Sequence, residues 1–154
     1  LPHLLKSENP HILNISPPLD MNPDWFSGHV AYSMAKFGMS LCVLGMAAEF
    51  KDDGVAVNAL WPRTAIATAA VKNVLGGEQL VNISRGPEIM ADAAYVILTK
   101  PSKEFSGNFC IDDTLLAENG VSDFSVYADV PFDQLAPDFF VPEDMPPPEA
   151  AKKS

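Results

Sequence analysis

Tyr32 and Lys36 stand four residues apart. On a helix that spacing places them on one face, one turn from each other. An ammonium held beside a phenol favours the phenolate and lowers the phenol pKa from about 10 toward the working range. The phenol then becomes a usable general acid or base. Spacing alone carries little weight, so the elements that would position the pair decide its meaning.

Residues 11–16 form a short apolar run, stopped by Pro17-Pro18, and read as a strand. Proline, aspartate and asparagine then make residues 17–28 a loop. From about 30 to 50 the pattern turns helical and apolar around much of the circumference, with small residues between the large ones. Such a helix must be buried against a sheet, another helix or a partner subunit. Lys51-Asp52-Asp53-Gly54 ends it, and residues 55–61 form a second strand closed by Pro62. Residues 64–75 read as a helical loop segment ended by Gly76-Gly77. Gly86-Pro87-Glu88 opens a further helix to about Lys100, and 105–111 reads as a third strand, with Asp112-Asp113 as its closing turn. Leu1 to Leu5 read as the end of a helix already under way.

Strands alternating with helices of this length imply crossovers onto a parallel sheet. The expected fold is α/β, the C-terminal half of a doubly wound parallel sheet, with an irregular acidic, proline-rich tail. Three strands leave one apolar edge unpaired, which leads to the expectation that sequence is missing on the N-terminal side.

The net charge of −10 lies mostly in residues 101–154. This end is expected to be a solvated tail, and the absence of a basic patch disfavours nucleic-acid partners. Cys42 and Cys110 lie in apolar surroundings and read as buried free thiols, which points to a reducing compartment. The longest apolar stretch, within 37–48, is too short for a transmembrane segment. His3, His11 and His29 read as surface or loop residues without metal-ligand spacing, so no metal is expected.

Several segments, taken together, carry a family likeness. They are Asn14-Ile15-Ser16-Pro17-Pro18, Ala31-Tyr32-Ser33-Met34-Ala35-Lys36-Phe37-Gly38, Ala56-Val57-Asn58-Ala59-Leu60-Trp61-Pro62-Arg63-Thr64-Ala65-Ile66, and Gly107-Asn108-Phe109 with Ile111-Asp112. In this order they resemble the C-terminal half of a short-chain dehydrogenase/reductase over roughly residues 1–140. The resemblance implies an NAD(P)-dependent oxidoreductase that moves hydride between a nicotinamide and a carbonyl or alcohol. Tyr32 would be the general acid/base. Lys36 would lower its pKa and hydrogen-bond the nicotinamide ribose. Ser16 would polarise the carbonyl, and Pro62, Thr64, Ile66 and Thr68 would help to hold the nicotinamide. The cofactor would be NADP or NAD. The substrate would be a small apolar, lipid-like carbonyl or alcohol, and the complete protein a homo-oligomer paired through the 30–50 helix. Residues 1–120 would be half of the Rossmann-like domain, 121–140 an extension packing on it, and 141–154 a linker or tail. Phe139-Phe140 would dock on the domain body or pack within the tail. The resemblance also implies an intracellular protein of the peroxisome or mitochondrion, otherwise cytoplasmic, and a following sterol-carrier-type lipid-binding domain.

Three departures from the family pattern stand out. The interval from Ser16 to Tyr32 is longer than usual, so Ser16 or Pro17 takes the serine's place. Arg63 replaces the glycine that usually follows the proline; it could reach a phosphate or a substrate carboxylate, or lie on the surface. The Gly-rich phosphate turn, the Asn-Asn-Ala-Gly segment and the tetrad asparagine are expected upstream of Leu1. These departures keep two alternatives open: a non-catalytic lipid-handling or interaction module, and a truncated product that retains the fold without binding cofactor. Asn58 matches a family asparagine and reads as structural.

Overall fold

The computed structural model describes residues 1–153. The chain makes two compact units, one of Leu1–Trp61 with Ala94–Cys110, the other of Pro62–Ala93 with the chain from Ile111 onward.

The first unit holds most of the sheet. Strand β1 is His11–Ile15 and β2 is Ala56–Trp61; they pair in parallel, with His11 opposite Ala56 and Ile15 opposite Leu60. Strand β3, Phe109–Ile111, completes the order β1-β2-β3. Every residue of β2 is buried, as expected of a central parallel strand whose sequence is a nearly unbroken apolar run. The crossover between β1 and β2 is helix α1, Val30–Glu49. Its buried residues are Ser33, Phe37, Ser40 and Val43, a stripe at helical spacing. Val43 packs with Val57 and Ala59 of β2, and Ile12, Met46, Phe50 and Phe109 close around them. The two serines of the stripe hold the loop before the helix: Ser33 donates to the Trp25 carbonyl, and Ser40 to the Pro17 carbonyl at 2.6 Å. Asn14 of β1 donates to the Met39 carbonyl at 3.2 Å.

By length and composition α1 would suffice to cross a membrane, a longer apolar span than the sequence reading found. Here it is the crossover helix that packs on β1 and β2. Leu41, Leu44 and Met34 point away from the stripe and are exposed. Cys42 also lies off the stripe and is exposed, and Cys110 is half-buried. Neither thiol is fully buried as expected; helical periodicity turns Cys42 outward.

The third strand is shorter than the sequence suggested. Gly107 adopts φ +79, a left-handed conformation that interrupts the extended run, and Asn108 is pinned by Asn58. Asn58 accepts from the Asn108 backbone at 3.0 Å and side chain at 2.9 Å, and donates to the Phe105 carbonyl at 2.8 Å. His11 opens β1 rather than lying in a surface turn, with Nε2 3.0 Å from the Lys100 carbonyl oxygen. Leu4–Lys6 is a single 3-10 turn, not a helix end.

Helix α3, Glu88–Thr99, runs from the second unit into the first. The rest of the second unit departs most from expectation. Thr64 bridges Pro137, and the Ala65 N–H donates to the Ala136 carbonyl at 2.9 Å; Ile66 bridges Arg85. Long-range pairing therefore holds residues 64–67 extended, against their helical reading. A π-helical turn follows at Val71–Leu75, and then α2, Gly77–Val81, begins where the two glycines had read as a terminator. Asp112 and Asp113 are not a surface turn: they open α4, Asp112–Glu118, and both are fully buried. Beyond it, Phe124, Tyr127, Leu135, Phe140 and Ala151 are buried in and between short 3-10 turns, so the acidic end packs through its apolar residues rather than forming a wholly solvated tail, while most of its carboxylates stay exposed.

Candidate active site

The parallel register determines what gathers at the C-terminal end of the sheet. Ile15 lies opposite Leu60, so the next step of the ladder brings Ser16 level with Trp61. In α/β sheets this end is where ligands bind. Helix α1 begins there, because a crossover helix runs back against the strands it joins.

Tyr32 and Lys36 lie in the first two turns of α1, on the rim of its buried stripe. Tyr32 is half-exposed, at 50%. The Lys36 ammonium is 6.0 Å from the Tyr32 ring centroid and 5.0 Å from the Trp61 ring centroid. It donates to the Ile15 carbonyl at 3.3 Å. Two rings and a strand-end carbonyl thus surround the ammonium, and Ser16 follows that carbonyl's residue, Ile15, in the chain. Ser16 is fully buried, and its hydroxyl has no hydrogen-bond partner. A buried hydroxyl left in that state costs free energy, which a carbonyl acceptor would recover.

Tyr127 offers a contrast. Burial, reinforced by its hydrogen bond to Asp92 at 2.7 Å, pushes its phenol up to about 12. That environment suits a structural tyrosine, not an acid/base working near neutrality.

The remaining candidates lie in the second unit. Pro62 and Thr64 are buried, and the Thr64 hydroxyl has no hydrogen-bond partner. Ile66 is buried beside its bridge to Arg85, whereas Thr68 is exposed and its Oγ1 accepts from the Val71 N–H at 3.3 Å. A concavity of about 500 Å³ adjoins Thr64, lined mostly by apolar side chains including Phe132, Leu135, Val141 and Met145.

Arg63 neither reaches outward for a phosphate nor lies on the surface. It is buried, with Nε 2.7 Å and 2.8 Å from the two Asp113 oxygens. Its other nitrogens donate to the Met145 carbonyl at 2.7 Å and to Thr114 Oγ1 at 2.8 Å. The segment read as a linker is therefore held by Arg63. Arg85 is fully buried as well, and reaches Asp113 at 3.2 Å. Asp112 caps the Arg63 N–H at 3.0 Å; burial, then the charge of Asp113, pushes its carboxyl up to about 7. Sequence reading missed this cluster. Its only trace was the pair of adjacent aspartates following an apolar strand.

No family model matches the chain. It is 57% identical over 148 residues to hydroxysteroid dehydrogenase-like protein 2 of Danio rerio, a match covering 94% of this chain and 35% of that protein. The chain thus spans about a third of the length of the curated relatives it matches. Among solved structures, a provisionally described dehydrogenase from Xanthomonas campestris is 51% identical at a TM-score of 0.84, covering 92% of this chain and 52% of the other. A short chain dehydrogenase of Mycobacterium thermoresistibile is 50% identical at a TM-score of 0.82, covering 95% and 51%.

Proposed function

Because this chain belongs to the short-chain dehydrogenase/reductase family, we propose that its complete protein is a nicotinamide-dependent oxidoreductase acting on a small apolar carbonyl or alcohol. The observation that carries this reading is the Lys36 ammonium beside the Tyr32 ring and on the carbonyl of Ile15, the residue that precedes Ser16 with its buried, unpartnered hydroxyl.

The residues present fit their share of such a cofactor site. Lys36 spends one N–H on the Ile15 carbonyl and keeps donors for a ribose hydroxyl. Pro62, Thr64, Ile66 and Thr68 are the residues that would hold the nicotinamide amide, and NADP and NAD remain alternatives. Bound nicotinamide supplies the hydride for reduction or takes it in oxidation. Tyr32 gives its phenolic proton to the carbonyl oxygen in reduction, or receives the alcohol proton in oxidation. Lys36 lowers the cost of the phenolate through its positive charge. Ser16 donates to the same oxygen and stabilises its developing charge.

In the full-length protein, Tyr32→Phe should cut ketone-dependent oxidation of NADPH or NADH by at least roughly 100-fold across a panel of aliphatic and steroid ketones. It should leave cofactor affinity, read by fluorescence titration, unchanged. Turnover within a few-fold of wild type in this variant would overturn the reading. Cofactor binding by the wild-type protein without turnover on any ketone would favour a binding module that has kept the fold and lost the chemistry.

A further inference from the structure

We infer that Trp61 is a positioning residue for Lys36: its indole face fixes where the ammonium stands beside Tyr32. The inference rests on the proposed roles of Tyr32 and Lys36.

The placement follows from strand and helix periods. Successive strand residues alternate faces, so Val57, Ala59 and Trp61 share one face of β2. Val57 and Ala59 pack against Val43 of α1, which identifies that face as the one the helix covers. Lys36 lies two turns before Val43, about 10 Å back along the helix axis. Trp61 lies roughly 6–7 Å beyond Ala59 along the strand. Helix and strand run in opposite directions, so both steps lead to the same end of the sheet. There the Lys36 ammonium stands 5.0 Å from the Trp61 ring centroid.

Trp61 is itself fixed. It is only 4% exposed, at the end of a strand buried along its whole length. Lys36 by contrast has a flexible four-carbon stem on a partly open helix face. A lysine free to swing into solvent would spend much of its time away from Tyr32, and its charge would be screened by water. An indole face attracts the cation more strongly than any other side-chain ring. The Ile15 carbonyl, at 3.3 Å, supplies a second restraint from β1. The two strand ends therefore both contact the ammonium, which stands 6.0 Å from the Tyr32 ring centroid. Nothing in the Tyr-x-x-x-Lys spacing contains this restraint, because it comes from a different strand.

The test is a spectrophotometric pH titration of the Tyr32 phenolate in the full-length protein, taken as the difference between each protein and its Tyr32→Phe counterpart. Trp61→Leu should raise the midpoint by on the order of one pH unit, a tenfold change in the phenolate-to-phenol ratio. Trp61→Phe, which keeps a weaker ring face and the strand's packing, should fall between the two. In a Lys36→Met background, Trp61→Leu should leave the midpoint unmoved, since its effect passes through the lysine. An unchanged midpoint in Trp61→Phe and Trp61→Leu, or the same shift in the Lys36→Met background, would overturn the inference. Lys36→Met failing to raise the midpoint at all would instead overturn the pairing of Tyr32 with Lys36 on which it rests.

Discussion

The Arg63 guanidinium meets the Asp113 carboxylate through Nε at 2.7 Å and 2.8 Å, and both side chains are buried. Arg63 also closes on the Met145 carbonyl, so one arginine joins the start of α4 to the proline-rich segment. Removing one partner of a buried pair leaves the other charge desolvated, at a cost of about 3–5 kcal/mol. Arg63→Ala should lose stability of that order in equilibrium urea denaturation. Arg63→Lys should recover little, because an ammonium does not reproduce the guanidinium's fixed set of donors.

Asp112 gives the cluster a pH dependence. Burial first, and then the Asp113 charge, raise its carboxyl from the usual 3.8 to about 7 in the folded state. Between those values the folded protein holds a proton that the unfolded chain releases. Linkage then makes stability fall as pH rises through that window, with the full penalty present above about 7. Asp112→Asn keeps an oxygen for the Arg63 and Asp113 N–H groups and should flatten this dependence. Urea denaturation at pH 4.5 and pH 8 checks the sign: the advantage of the asparagine variant should grow at the higher pH.

Asn58 ties β2 to the turn before β3 through three hydrogen bonds, to Phe105, the Asn108 backbone and the Asn108 side chain. All lie in a buried or half-buried setting, so Asn58→Ala should cost roughly 2–4 kcal/mol by leaving buried groups unpaired. Thermal unfolding should show the loss, and Asn58→Asp should not restore it, having no donor for the Phe105 carbonyl.

The outer face of α1 presents Met34, Leu41 and Leu44, all exposed in a single chain. We expect that face to pair subunits of the complete protein. Leu41→Glu with Leu44→Glu should then lower the sedimentation coefficient to the monomer's. A wild-type protein that already sediments as a monomer would contradict the expectation.

The sheet and its crossover were legible because their signals are local. The run at 11–15, the buried run at 56–61 and the helix from Val30 each announce themselves through composition and period, and the Tyr32–Lys36 spacing needs only a helix to acquire meaning. What stayed hidden depends on contacts distant in sequence. Residues 64–67 have helix-tolerant composition yet are extended because Ala136 and Arg85 pair with them. Arg63 read as a solvent or ligand arginine because its partner is fifty residues away. Trp61 read only as the end of a strand, and its meeting with Lys36 required the register. The acidic tail read as solvated because its buried residues, Phe124, Leu135 and Phe140, are scattered without a period.

The central claim is that Tyr32 supplies the proton while Lys36 makes its phenolate accessible. Single-turnover hydride transfer by the cofactor-loaded full-length protein, followed at the nicotinamide absorbance with a saturating ketone, tests it most directly. Tyr32→Phe should slow that step by roughly 10²–10⁴-fold, the usual worth of a positioned general acid, with cofactor affinity unchanged. A rate within a few-fold of wild type would contradict the claim.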